Sequence, residues 1–150
     1  MSVHRRYEGH GLPTLVTSNV EGRRPLFQSA TAVRMLLEVI GEVRRDTGFE
    51  LNAWVVMPDH IHFVIRVPDT SKLGRVMQLI KGRFAYRYNK FNRSCGTTWQ
   101  SRYHGRVLQS QRALNAAIEY VHANPVVAGL VSSPEEFQWS SARHWEVPSG

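Results

Sequence analysis

Apolar and polar positions alternate along the chain in two different periods, and the change of period marks the elements. Residues 14–20 (TLVTSNV) are β-branched and apolar enough for a first strand, and Glu21-Gly22-Arg23-Arg24-Pro25 reads as a turn. From 29 to 46, Val33, Leu36, Leu37, Ile40 and Val43 recur at helical spacing, with Ser29 or Thr31 placed to cap the start and Gly48 to end it. Phe49, Leu51, Ala53, Val55 and Met57 then alternate with Glu50, Asn52, Trp54 and Val56, which is a strand, and Pro58-Asp59 makes a tight turn. The strand that follows puts Ile61, Phe63, Ile65 and Val67 on one face and His60, His62, Val64 and Arg66 on the other.

A second helix is expected over 71–89, with Leu73, Val76, Ile80 and Phe84 as its buried stripe and Lys72, Arg75, Arg83, Arg87 and Lys90 away from it. Residues 92–98 are a loop and 105–109 a short fourth strand. A third helix starts near Gln111 and is expected to stop at Asn124, because Pro125 disfavours a helical conformation for the residue before it. The tail, with Pro134, Trp139 and Pro148, reads as a covering segment. The order strand, helix, strand, strand, helix, strand, helix is that of an α+β, ferredoxin-like sandwich: an antiparallel sheet with helices packed on it, plus an extra C-terminal helix. No repeat, linker or low-complexity tract interrupts it, so residues 1–150 form one domain, the size that builds a single core.

Charge changes the picture more than composition does. The formal net charge is +7, and no acidic residue occurs between Asp69 and Glu119. That stretch holds Lys72, Arg75, Lys81, Arg83, Arg87, Lys90, Arg93, Arg102, Arg106 and Arg112, interleaved with Phe84, Tyr86, Tyr88, Phe91, Trp99 and Tyr103, aromatic rings able to stack on unpaired bases. Coincident charge and aromatics point to nucleic acid over a merely solvated basic surface. Arg5 and Arg6 form a short basic arm that could contact bases or phosphates, or simply fray. The face of the second helix with Arg75, Lys81, Arg83 and Arg87 is the better expectation for backbone contacts, with Arg102 beyond it. No apolar run reaches the length of a membrane span and no signal-peptide pattern opens the chain. The lone Cys95 forms no internal disulfide, so the expected setting is a reducing cytoplasm, near the nucleoid.

His60 and His62 stand two apart on a strand, so both rings can converge on one cation. Imidazoles with an added carboxamide or carboxylate oxygen allow Mg²⁺ or Mn²⁺. Taken alone, such a pair reads better as structural histidines at a strand entrance. The third helix offers a further ligand and a nucleophile: Tyr120 and Asn124, four apart, share a face. Alone, these too could be a half-buried aromatic and a helix-ending Asn. Together they make chemical sense, because a phenol is a poor nucleophile at neutral pH and a metal held by His60, His62 and Asn124 could polarise a phosphodiester for attack by Tyr120.

Trp54-Val55-Val56-Met57-Pro58-Asp59-His60-Ile61-His62 resembles the HUH motif of the IS200/IS605-like Y1 transposases, and Tyr120-Val121-His122-Ala123-Asn124-Pro125 resembles the Y-I-H-x-N-P block of their REP-associated tyrosine transposase branch. Arg83-Phe84-Ala85-Tyr86-Arg87-Tyr88-Asn89, Trp99-Gln100-Ser101-Arg102-Tyr103 and Trp139-Ser140-Ser141 follow the same order along nearly the whole chain. The resemblance implies a ferredoxin-like fold and metal-dependent cleavage and rejoining of single-stranded DNA through a covalent phosphotyrosine, with recognition of a hairpin beside the cleavage site. It implies His60, His62 and Asn124 as metal ligands and Tyr120 as the nucleophile. The chain could act as a monomer or as a homodimer sharing helices. Two other readings stand beside this one: a repeat-binding protein of transposase descent without catalysis, and an RNA-binding module of RRM type, suggested by Lys81-Gly82-Arg83-Phe84-Ala85-Tyr86 but opposed by the helical periodicity of that segment.

Overall fold

A computed structural model describes residues 11–144. The basic arm of Arg5 and Arg6 lies outside the described residues. Strand β1 (Thr14–Asn19) is followed by two 3₁₀ turns and helix α1 (Ala30–Thr47), then by strands β2 (Glu50–Met57) and β3 (His60–Arg66). Helix α2 (Leu73–Phe91), strand β4 (His104–Val107), helix α3 (Gln111–Val127) and a third 3₁₀ turn complete the order. The four strands pair in the order β2-β3-β1-β4, every neighbour antiparallel, which is the arrangement expected of a ferredoxin-like sandwich.

The two faces of β2 and β3 are both apolar, as their alternation requires, and they bury different helices. Val16, Trp54, Val56, Ile61, Phe63 and Ile65 face the seams of α1 and α2 in the larger core. Leu15, Ala53, Val55, Met57 and Val64 face α3, which lays Leu114, Ala117, Ile118 and Val121 onto them. Each fully buried Leu, Ile or Val in that second seam is worth about 1.5–3 kcal/mol, enough to seat a single helix on the sheet. His60 and His62 share the parity of Val64 and so point to the α3 side.

Local signals explain the helix starts. The Ser29 hydroxyl accepts from the Ala32 amide at 3.2 Å and that of Ser110 from Ala113 at 3.0 Å, while Gly48 ends α1 in the left-handed region at φ 75°. The end of α3 departs from expectation. It does not stop at Asn124 but runs through Pro125 to Val127. Only the last turn is affected by the missing Pro125 amide; Pro125 is buried, and the Asn124 and Pro125 carbonyls accept from Ala128 and Leu130, each at 2.9 Å. Asn124 therefore sits inside a regular turn, one turn beyond Tyr120. The fourth strand is also shifted, covering 104–107 rather than 105–109, with Leu108 turned into the second core.

The tail behaves as a covering segment. Ser140 bridges to Val55, the Val56 amide donates to the Trp139 carbonyl and the Ser141 amide to that of Trp54, each at 2.9 Å, so this segment occupies the open edge of β2. The Ser141 hydroxyl accepts from the Trp54 amide at 2.9 Å and lies 2.7 Å from His122 Nε2, tying α3 to the same edge. Among the described residues no helix is long and apolar enough to cross a membrane.

Candidate active site

Strand register assembles the site. Thr17 stands opposite His62 and Asn19 opposite His60, so β1 supplies the neighbours of both imidazoles. His62 is 3% exposed, and its Nδ1 lies 2.8 Å from the Thr17 hydroxyl. His60 Nδ1 lies 2.6 Å from Asp59 Oδ1, and Arg23 Nε donates to the other Asp59 oxygen at 3.0 Å. Arg23 is held in the left-handed region at φ 52°, directly after Gly22 at φ 68°, a conformation that costs an arginine about 1 kcal/mol or more and that the ion pair helps to hold. Burial would raise the Asp59 carboxyl, but hydrogen bonds from His60 and Arg23 outweigh it and hold the group below its ordinary range. The two imidazoles meet nearly edge to face, centroids 4.7 Å apart.

Helix α3 brings the other two groups. Tyr120 lies against His62, with ring centroids 5.4 Å apart and planes at 73°, and remains 52% exposed. One turn on, the Asn124 carboxamide nitrogen is 3.4 Å from His62 Nε2. All four sequence-selected groups, His60, His62, Tyr120 and Asn124, are thus gathered on one face of one chain. Beside them runs an open groove of about 440 Å³, lined by Arg23, Asp59, His60, Asn124, Val127 and Leu130 among others.

The donor set fits a divalent cation. Both Nδ1 atoms are engaged, one by a carboxylate and one by a hydroxyl, which leaves Nε2 of each ring as the coordinating atom; such outer partners fix tautomer and orientation in metal-binding histidines. His62 is neutral at pH 7, as a ligand must be: burial first, then the charges of His60 and Arg23, lower its pKa from 6.5 to about 4. Among the described residues no three His, Cys, Asp or Glu side chains converge, so a third donor drawn from those residues would be of another type. The Asn124 carboxamide is in place for it, and a half-turn about its terminal torsion presents Oδ1 instead of Nδ2. Two imidazoles and one amide oxygen are a mixed set compatible with Mg²⁺ or Mn²⁺.

Other sequence-selected residues are not gathered here. Arg83 and Arg87 face α1, on the opposite side of the sheet. Arg87 forks onto Glu42 at 2.6 and 2.7 Å, and Arg83 reaches Asp46 at 3.2 Å and Glu42 at 3.7 Å. Arg75 is exposed and donates to Gln78 on its own helix, Arg102 is exposed beside β4, and the Lys81 ammonium donates to the Gln100 carbonyl at 3.0 Å. Of the interleaved aromatics, Phe84 and Trp99 belong to the core, packed with Phe27 at centroid distances of 5.3–5.7 Å, while Tyr86 and Phe91 stay exposed. Thr17, Arg23 and the contact of Asp59 with His60 are not visible in the sequence; Asp59 sits in the expected turn between β2 and β3, and from there its carboxylate reaches the His60 ring.

An antiparallel ferredoxin-like sheet with paired histidines at a strand entrance, faced by a tyrosine and an amide from a packed helix, is the architecture of a tyrosine-type transposase domain. The chain belongs to the family of IS200-like transposases, which matches residues 15–124. Within it the likeness is to the REP-associated tyrosine transposases. The Escherichia coli (strain K12) protein of that description is 30% identical over 100% of this chain and 87% of its own length. The solved structure of a REP-associated tyrosine transposase bound to a REP hairpin is 27% identical, covers 99% of this chain and 90% of that one, and superposes with a TM-score of 0.79. A second solved structure, from Deinococcus radiodurans, is 18% identical over 87% of this chain and 98% of its own and shares the fold, with a TM-score of 0.57.

Proposed function

We propose that this chain cleaves and rejoins single-stranded DNA beside a hairpin, with Tyr120 as the nucleophile. The observation that carries the reading is the placement of Tyr120 against the buried His62, with Asn124 one turn further along the same helix. The phenolic oxygen attacks the scissile phosphorus; the bond from phosphorus to the 3′ oxygen breaks as the bond to Tyr120 forms. The phenol proton passes through solvent to the departing oxygen, leaving a free 3′ hydroxyl and a 5′-phosphotyrosine. When bound by His60, His62 and Asn124, a divalent cation, Mg²⁺ or Mn²⁺, supplies Lewis-acid polarisation of the phosphate. Thr17 and Asp59 hold the two imidazoles in the tautomer that coordinates through Nε2. A second 3′ hydroxyl attacking the phosphotyrosine reverses the step and joins strands without an added energy source, because one phosphoester is exchanged for another.

The hairpin enters the reading from the REP-hairpin complex of the similar structure and from the basic stretch between Asp69 and Glu119. Incubation with hairpin-bearing single-stranded oligonucleotides and Mg²⁺ or Mn²⁺ should give protease-sensitive protein–DNA adducts that disappear with chelator and in Tyr120→Phe. A Tyr120→Phe protein that binds hairpins while the wild type forms no adduct under any of these conditions would favour a binding protein without catalysis.

A further inference from the structure

Arg23 stands in a conformation that folding alone does not favour. Its backbone is held in the left-handed region at φ 52°, where glycine or asparagine sits at little cost and an arginine does not. The turn around it is tied down: the Arg23 amide donates to the Val20 carbonyl, the Glu21 amide to that of Thr98 and the Val20 amide to that of Asp59, each at 2.9 Å. The turn that carries Arg23 and the turn that carries Asp59 are thereby locked together. Strain kept at a fixed position is a pointer to function.

The side chain is anchored at one end only. Arg23 Nε donates to Asp59 Oδ2 at 3.0 Å, while Asp59 Oδ1 lies 2.6 Å from His60 Nδ1. The terminal amino groups of the guanidinium have no partner among the described residues, and the side chain is 52% exposed. Arg23 lines the groove of about 440 Å³ that also holds His60 and Asn124. Among the described residues lining that groove it is the one Arg or Lys, and the one acid, Asp59, has both carboxylate oxygens engaged. A held cation with spare donors therefore stands in the same space as the imidazole and the carboxamide.

We propose that Arg23 binds one backbone phosphate of the DNA strand in the active-site groove, the phosphate neighbouring the scissile one. The inference rests on the function proposed above and adds a substrate contact to it. A planar guanidinium with Nε on a carboxylate offers its remaining edge to two phosphate oxygens, which a lysine ammonium cannot do from the same anchor. Asp59 stands between Arg23 and His60 and bonds to both, so the phosphate on Arg23 is the next along the strand from the one at the imidazoles. Such a contact reads no base; it fixes the register of the strand. Arg23 thereby sets which phosphodiester faces Tyr120, and its pairing with Asp59 fixes that contact relative to His60.

The experiment begins with hairpin oligonucleotides bearing randomised single-stranded flanks, from which the full-length protein selects a bound member in chelator. Each flank phosphate of that member is replaced in turn by an uncharged methylphosphonate. Kd is then measured in chelator for wild type, Arg23→Gly and Arg23→Asn, two residues that accept the left-handed backbone. One methylphosphonate should weaken wild-type binding about tenfold, the size of one charge-assisted contact. Both variants should bind the intact oligonucleotide about tenfold more weakly, lose nothing further at that one position, and keep the wild-type response at every other. Their melting temperatures should stay near that of wild type, because the strain relieved offsets the exposed ion pair lost. Mapping of the Tyr120 adduct with Mn²⁺ should place the cleaved phosphodiester next to that position. If every methylphosphonate effect persists in both variants while the wild type still forms adducts, the phosphate contact is overturned and the catalytic reading stands. An effect that vanishes at a phosphate not adjacent to the cleaved one overturns the placement. If the effect vanishes at one position and no adduct forms, the contact stands and the catalytic reading falls. If no hairpin is selected, both fall.

Discussion

Thr17 and His62 face each other across paired strands, the hydroxyl of one 2.8 Å from Nδ1 of the other. This contact occupies Nδ1 of His62 and leaves Nε2 turned toward Asn124, 3.4 Å away. Thr17→Val keeps the β-branched shape and removes the hydroxyl, so the fold should survive while Mn²⁺ affinity falls about 10–100-fold, the usual effect of losing an outer partner of a metal-binding histidine. Calorimetric titration of the wild type and the variant with Mn²⁺ measures this. Equal affinities would show that the ring is oriented by something else.

Burial of His62 has a consequence for stability that can be read without DNA or metal. Its folded pKa of about 4 lies below the ordinary 6.5, so the unfolded chain takes up the proton first as pH falls. The contribution of the neutral buried ring is complete above pH 6.5 and is lost as pH drops toward 4, at about 1.4 kcal/mol per pH unit inside that window. Urea midpoints at pH 7 and pH 5 in chelator should differ more for wild type than for His62→Gln. Parallel pH profiles would contradict the assignment.

The basic residues of α2 separate into two kinds. Arg83 and Arg87 pair with Asp46 and Glu42 of α1, and hydrogen bonding to Arg87 is the leading cause that lowers the Glu42 pKa. Replacing both by Met should cost stability, about 0.2–1 kcal/mol per exposed pair, and change the salt dependence of DNA binding little. Replacing Arg75 and Arg102 by Met should instead reduce the slope of log K against log salt by roughly one to two, with an unchanged urea midpoint. The reverse pattern would place the DNA on the α1 side of α2.

How much of this was legible in the sequence follows from the range over which each signal acts. The period-two run from Phe49 to Met57, the 3.6-residue recurrence of Val33, Leu36, Ile40 and Val43, and the caps at Ser29 and Gly48 are local, and the structure repeats them within a residue or two. His60 with His62, and Tyr120 with Asn124, could be paired because each pair lies on one element. The partnership of Thr17 with His62 is invisible until β1 is placed beside β3, a pairing 45 residues apart. The direction of Arg83 and Arg87 was missed for the same reason: a charged residue beside an apolar stripe looks solvated until the acids of α1 are known to sit opposite. Pro125 misled because the rule it invokes is a local cost, which a buried ring in the last helical turn can outweigh.

The most direct measurement is mass spectrometry of the covalent product. Protein trapped on a hairpin oligonucleotide with Mn²⁺ is digested with protease and nuclease, and the nucleotide-bearing peptide is sequenced. The account predicts a single modified peptide, with a nucleotide joined through its 5′ phosphate to Tyr120 and a free 3′ hydroxyl on the released strand. A nucleotide on any other residue, or released strands ending in a 3′ phosphate, would contradict it.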